Sequence, residues 1–226
     1  MTLRVVFASQ KGGVGKSALA RSLAVVFAEA DWRVLIADFD VEQLTCVGWQ
    51  ARRLANEIQP ELEVLSFKSP KRMDKVRSRY DVVVEDGPGY ADKHTATLAS
   101  AAHAVFLPTG VTIDDLRPTL ALVDRLVAAG VKAKDIAIVL ARTGRSERQE
   151  ADARGYLRPF GYQVIGPTWP QKDGFAAALG SGRAGREAAS PALRTAAEEL
   201  DQAMLDFVAS RKRFPRKLPA PRGRRA

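Results

Sequence analysis

Cysteine and histidine are nearly missing from this chain, whose 226 residues include one Cys and two His. The lone Cys46 excludes an internal disulfide and any multi-cysteine metal site within one subunit. His94 and His103 stand apart from each other and from carboxylates at ligand spacing, so structural roles are expected for both. Long apolar runs are missing too: no stretch approaches the roughly 20 residues needed to span a bilayer. Met1-Thr2-Leu3-Arg4 passes directly into the first apolar segment, so no export signal is expected. There is no internal repeat and no nucleophile elbow, and Gly12-Gly13-Val14-Gly15 lacks the G-x-G-x-x-G spacing of a hydride-cofactor loop. These absences leave a one-domain cytoplasmic protein as the expectation.

What is present begins at residue 3. Residues 3–9 are apolar and β-branched and read as a buried strand, while residues 18–30 carry Leu19, Leu23, Val26 and Phe27 at the spacing of one helix face. Between them lies Lys11-Gly12-Gly13-Val14-Gly15-Lys16-Ser17, followed by Ala18. Strand, glycine loop, helix is the context of a phosphate-binding loop, where backbone N–H groups and a helix N-terminus converge on an anion. In such a loop Lys16 reaches the β- and γ-phosphates and the Ser17 hydroxyl ligates Mg²⁺. The usual G-x-x-x-x-G-K-[ST] pattern fails at one position, because Gln10 replaces the first glycine and an extra lysine follows it.

Further strands are predicted over 33–38, 62–66, 81–85, 104–108, 136–141 and 163–165, with helices between them, most clearly over 113–129, 146–157 and 191–209. Continuous apolar strands alternating with helices imply an α/β fold, a doubly wound, mostly parallel sheet covered on both faces. Its ligands belong at the carboxyl ends of the strands. Two acidic clusters fall there. Asp38 and Asp40 close the second strand and, by alternation, are expected to face the same way. Asp86 follows an apolar strand in the manner of a Walker B acid, with Glu85 pointing to the opposite face and therefore expected to be structural or partner-facing.

The loop with its early lysine resembles the deviant Walker A loop of the ParA/MinD family of ATPases, and the likeness extends to residues 38–43 and 81–89. That resemblance implies ATP and Mg²⁺ as cofactors and a homodimer formed around ATP, with Lys11 reaching the nucleotide of the neighbouring subunit. It further implies Lys16, Ser17 and residues 12–15 on the phosphates, Ser17, Asp38 and Asp86 around the metal, and Asp40 orienting the attacking water. Arg142, Thr143 and Pro170 fall where the family contacts adenine. Residues 87–89 match its second switch, whereas Val41-Glu42-Gln43 departs from the Pro-Gln usual in the first.

Eight of the nine excess positive charges lie in residues 211–226, which contain no acid and three prolines. Such an arm favours polyanions, nucleic acid foremost. The expected organisation is an ATPase domain over 1–210 and a flexible basic tail over 211–226. Arg183, Arg186, Arg211, Lys212, Arg213 and Arg216 are candidates for non-specific DNA contact. The short partition ATPases without an N-terminal DNA-binding extension are the nearest likeness. The expectation is therefore a nucleoid-associated ATPase that positions a cargo and is released by a ParB-like or adaptor protein stimulating hydrolysis. The alternative is a MinD-like membrane-associated regulator of division, which the prolines of the tail disfavour because they break an amphipathic helix. A reductase like the nitrogenase iron protein would need more cysteine than Cys46 supplies.

Overall fold

The computed structural model describes residues 1–89, 91, 93–144 and 146–211. Eight strands run in chain order as β1 Leu3–Phe7, β2 Val34–Asp38, β3 Glu63–Ser66, β4 Val82–Asp86, β5 Ala104–Thr109, β6 Ile136–Thr143, β7 Gln163–Val164 and β8 Trp169–Pro170. The helices are α1 Lys16–Glu29, α2 Thr45–Ala55, α3 Pro70–Asp74, α4 Lys93–Ser100, α5 Ile113–Ala128, α6 Glu147–Leu157, α7 Asp173–Gly180 and α8 Pro191–Ala209. The sheet order is β3-β2-β4-β1-β5-β6-β7, with β8 beside β6, and every pairing is parallel.

Alternation along each strand divides the core in two. Leu3, Val5 and Phe7 of β1 and Val82 and Val84 of β4 pack with Leu23 and Phe27 of α1, Trp49 of α2 and Met204 of α8. Val6 and Val83 face the other way, onto Leu98 of α4, Leu120 and Val123 of α5 and Leu157 of α6. Both faces are thus dry, which is why the strands read as continuous apolar runs instead of alternating ones. Strand order turns at β1, whose neighbours are β4 and β5, so its carboxyl end opens the crevice in which such sheets bind ligands.

Three buried polar clusters tie helices to this frame. Trp49 is fully buried with the guanidinium carbons of Arg21 and Arg53 5.6 and 5.3 Å from its ring centre, and its indole N–H donates to the Arg183 carbonyl. Arg53 also pairs with Glu187 at 2.7 Å. On α8, Asp201 accepts from Ser22 of α1 at 3.0 Å and from Arg186 at 3.1 Å. Burial pushes its carboxyl up to about 7 against the opposing pull of those partners. On the opposite face, Glu85 is fully buried and receives two bonds from Arg4, at 2.5 and 3.0 Å. Its carboxyl is raised chiefly by desolvation, with Arg4 pulling it back. Of the two roles expected for Glu85, the structure shows the internal one.

Boundaries differ from the sequence reading where a special residue sits. Helix α1 starts at Lys16, two residues early, because Gly15 in the left-handed region (φ 90°) is its N-cap. Strand β6 runs on to Thr143, since β8, absent from the sequence reading, pairs with its end. Residues 212–226, which contain Lys212, Arg213 and Arg216, lie outside the described residues.

Candidate nucleotide-binding site

The loop from Ser9 to Gly15 rises from the carboxyl end of β1 and borders a cavity of about 900 Å³. Gly12, Gly13, Gly15, Lys16, Ser17 and Ala18 line it. Behind the loop, the Trp169 indole lies 3.8 Å from where a side chain on Gly15 would begin, and it stacks on Phe175 at 4.2 Å. The loop therefore rests on a rigid aromatic floor. Lys16 is buried, and its ammonium donates to Asp86 Oδ1 at 2.6 Å and to the Gly87 carbonyl at 2.5 Å. Register places Asp86 there, for β4 pairs Asp86 with Phe7 at the last rung before the loop. Gly87 is required next: its N–H donates to the Phe7 carbonyl at 2.9 Å, and a Cβ would stand 2.8 Å from that oxygen.

Asp40 and Asp38 part company. Asp40 lines the cavity, accepts from the Gln43 N–H at 3.2 Å, and has Oδ2 3.3 Å from the Cβ position of Gly89, between the two expected switch segments. Asp38 is fully buried behind it and accepts from the N–H groups of Asp40 at 3.0 Å and Cys46 at 2.8 Å. The expected common orientation is therefore not found. The chain after β2 folds back through Leu44, left-handed at φ 47°, and brings its amides onto Asp38. Burial, then the charge of Asp86, raises the Asp38 carboxyl, with the amide bonds opposing.

Cys46 was not anticipated at the site. Its thiol donates to Asp86 Oδ2 at 3.1 Å, beneath Arg21 at 3.5 Å, so Asp86 is held between an ammonium and a thiol. Only the chain fold joins these residues, and no spacing in the sequence signals them. Phe39, Phe67, Lys68 and Leu179 also line the cavity, as does His94, for which a structural place was expected. His103 is structural, its Nδ1 accepting from the Arg4 N–H at 3.0 Å.

Lys11 is not a lining residue. Its ammonium lies 2.9 Å from Asp115 Oδ1 in the first turn of α5, with the side chain 44% exposed. Burial pushes the Asp115 carboxyl up, but bonds from Lys11 and Thr112 outweigh it and hold it below the ordinary range. Gln10, in the position of the usual first glycine, accepts from Arg125 of the same helix. The three expected adenine contacts are likewise not lining residues. Pro170 is paired into β8, the Thr143 hydroxyl meets that of Thr168 at 3.2 Å, and Arg142 extends over the loop. Among the basic candidates, Arg183 is exposed. Arg186 is bound by Glu29 and Asp201, both at 3.1 Å, and Arg211 packs on the Phe207 ring at 4.2 Å beside Asp135. Neither is a free surface cation.

The residues present suit a nucleoside triphosphate with a hard cation. Loop amides and Lys16 are groups that could meet phosphate, and Ser17 puts at the cavity wall an oxygen of the kind Mg²⁺ accepts alongside phosphates and water, while Asp86 stands buried behind them on Lys16 and Cys46. Among the described residues no cluster of three or more His, Cys, Asp or Glu could hold a metal alone. A family model described as the CobQ/CobB/MinD/ParA nucleotide-binding domain matches residues 5–184. The chain belongs to that family. The match spans every nucleotide-site element described above. Solved structures with the same fold include Cyanothece McdA (16% identity, 90% of this chain and 100% of that one, TM-score 0.71). A protein assigned to plasmid partition in Borrelia burgdorferi, solved with AMPPNP, matches at 16% identity, 91% and 99% coverage and TM-score 0.69. MinD from Aquifex aeolicus matches at 15%, 96% and 100%, with TM-score 0.67. No curated protein matches by sequence. Among the described residues no helix is long and apolar enough to cross a membrane.

Proposed function

We propose that this protein is a Mg²⁺-dependent ATPase of the ParA type, which pairs with a second copy around ATP, binds DNA non-specifically in that state, and leaves it when a partner stimulates hydrolysis. The observation that carries this reading is the separation of the two loop lysines: Lys16 is buried in the cavity wall, and Lys11 stands outside it on the opposite flank. A lysine so placed is poorly disposed toward its own nucleotide and well disposed toward a neighbour's. Its cation would then neutralise charge that develops on the phosphates during transfer to water. Ser17 would hold a bound cation, with Asp86 in its outer shell, and that cation would supply charge neutralisation at the phosphates. Asp40, at the cavity wall between the switch segments, orients the attacking water. The site is finished only when two copies meet, so turnover of the lone subunit is low and its rate is open to control. The cargo is a plasmid, chromosome or protein assembly.

The test is sedimentation with a non-hydrolysable ATP analogue. Wild type is expected to dimerise and shift duplex DNA, and Lys11→Ala to remain monomeric while still binding ADP. A Lys11→Ala protein that dimerised and hydrolysed ATP normally would sink the sandwich reading. Co-flotation with anionic vesicles, without any DNA shift, would favour the membrane regulator instead.

A further inference from the structure

At the end of β6 the pairing with β8 slips: Ala141 pairs with Trp169 and Thr143 with Pro170, and the residue between them is bulged out. That residue is Arg142, held left-handed at φ 54°. A bulky side chain rarely adopts this region, and backbone strain of this sort persists where the surroundings impose it and collects at functional sites. Bulges re-aim side chains beside active sites. Here the bulge turns an exposed guanidinium onto the phosphate loop, with Nη1 3.8 Å from the position a Cβ of Gly13 would occupy. Among the described residues its guanidinium makes one bond, a long one to Gln171 Oε1 at 3.4 Å, and pairs with no carboxylate. The cavity takes its walls mainly from the β2–β4 half of the crevice, through Phe39, Asp40, Phe67 and Pro88. Arg142 stands over the other, β5–β6 half, the flank on which Lys11 meets α5.

We infer that Arg142 is a second cation acting across the dimer seam, meeting the phosphates of the nucleotide held by the partner copy beside that copy's encounter with Lys11. The inference rests on the ATP-sandwich reading above and adds a residue to it. A planar guanidinium suits the task, since it can grip two phosphate oxygens at once where an ammonium acts as a point charge. The slipped β6–β8 pairing is then the device that holds the guanidinium exposed above the phosphate loop.

The test compares full-length wild type with Arg142→Ala, Arg142→Gly and Arg142→Lys by thermal midpoint, ADP affinity of the monomer, and sedimentation with the ATP analogue. Glycine fits φ 54° without strain, so Arg142→Gly is expected to melt no lower than wild type. Its ADP affinity should stay within about twofold, while analogue-driven dimerisation weakens by about tenfold or more, the scale of one lost charge-assisted bond. Arg142→Lys should recover only part of it. A lower midpoint for Arg142→Gly would make the bulge merely structural, and a tenfold loss of ADP affinity would make Arg142 a contact to its own nucleotide. Either result, or unchanged dimerisation, overturns the inference. If wild type itself fails to dimerise with the analogue, the sandwich reading falls and the inference with it.

Discussion

Lys11 and Asp115 form an ion pair at 2.9 Å, which in the proposed dimer would compete with the partner copy's phosphates for the lysine. The Thr112 hydroxyl, donating to Asp115 Oδ2 at 2.7 Å, fixes the carboxylate in place. Because the lysine is nearly half exposed, the pair is worth at most about 1 kcal/mol. Asp115→Asn should therefore strengthen analogue-driven dimerisation by up to about fivefold per subunit, read by sedimentation at graded concentration. Weakened dimerisation would mean that Asp115 helps the seam instead of restraining the lysine.

Glu85→Gln should destabilise the fold without touching the nucleotide. Removing the charge leaves the Arg4 guanidinium buried with, among the described residues, Asp74 at 3.6 Å to offset it, and breaking such a pair costs about 3 kcal/mol or more. Urea unfolding reads the loss. ADP affinity should match wild type, and a large drop in affinity would assign Glu85 to the site after all.

Asp201 gives stability a pH dependence of known sign. Its carboxyl titrates at about 7 in the folded chain against an ordinary value of 3.8, so the unfolded chain releases its proton first as pH rises. The contribution is complete below about pH 4 and is lost as pH climbs to about 7. Asp201→Asn should gain in thermal midpoint relative to wild type between pH 5 and 8, the gap widening with pH. Parallel curves for the two proteins would show that Asp201 ionises freely.

Cys46 should resist thiol reagents in the native protein at pH 8. It is fully buried, and burial together with the Asp86 charge pushes its thiol well above the ordinary range, with Arg21 opposing. Labelling with a chromogenic disulfide should appear only on denaturation. Fast native labelling would mean that residues 40–46 open widely on their own.

The parallel sheet, the glycine loop, Lys16 and Asp86 were legible because each rests on a local pattern: β-branched runs, glycine spacing, an acid closing an apolar strand. The orientation of Asp38 was not, for it depends on how residues 40–46 fold back, and alternation along a strand stops where the strand stops. Arg186 looked like a surface cation in a glycine-rich stretch, but its partners Glu29 and Asp201 lie 157 and 15 residues away and no local pattern points to them. Strand β8 is only two residues long and carries a proline, so no periodicity could announce it. Cys46 beneath Asp86 depends on a contact across 40 residues.

Trp169, backing Gly15 from below, gives the molecule a native optical probe. The chain has three tryptophans; Trp32 packs against Phe27, and Trp49 lies beside Arg53 and the cavity-lining Arg21. Emission from Trp169 can thus follow loop movement as nucleotide enters, in unlabelled protein and in real time, with Trp169→Phe separating its signal from that of the other two.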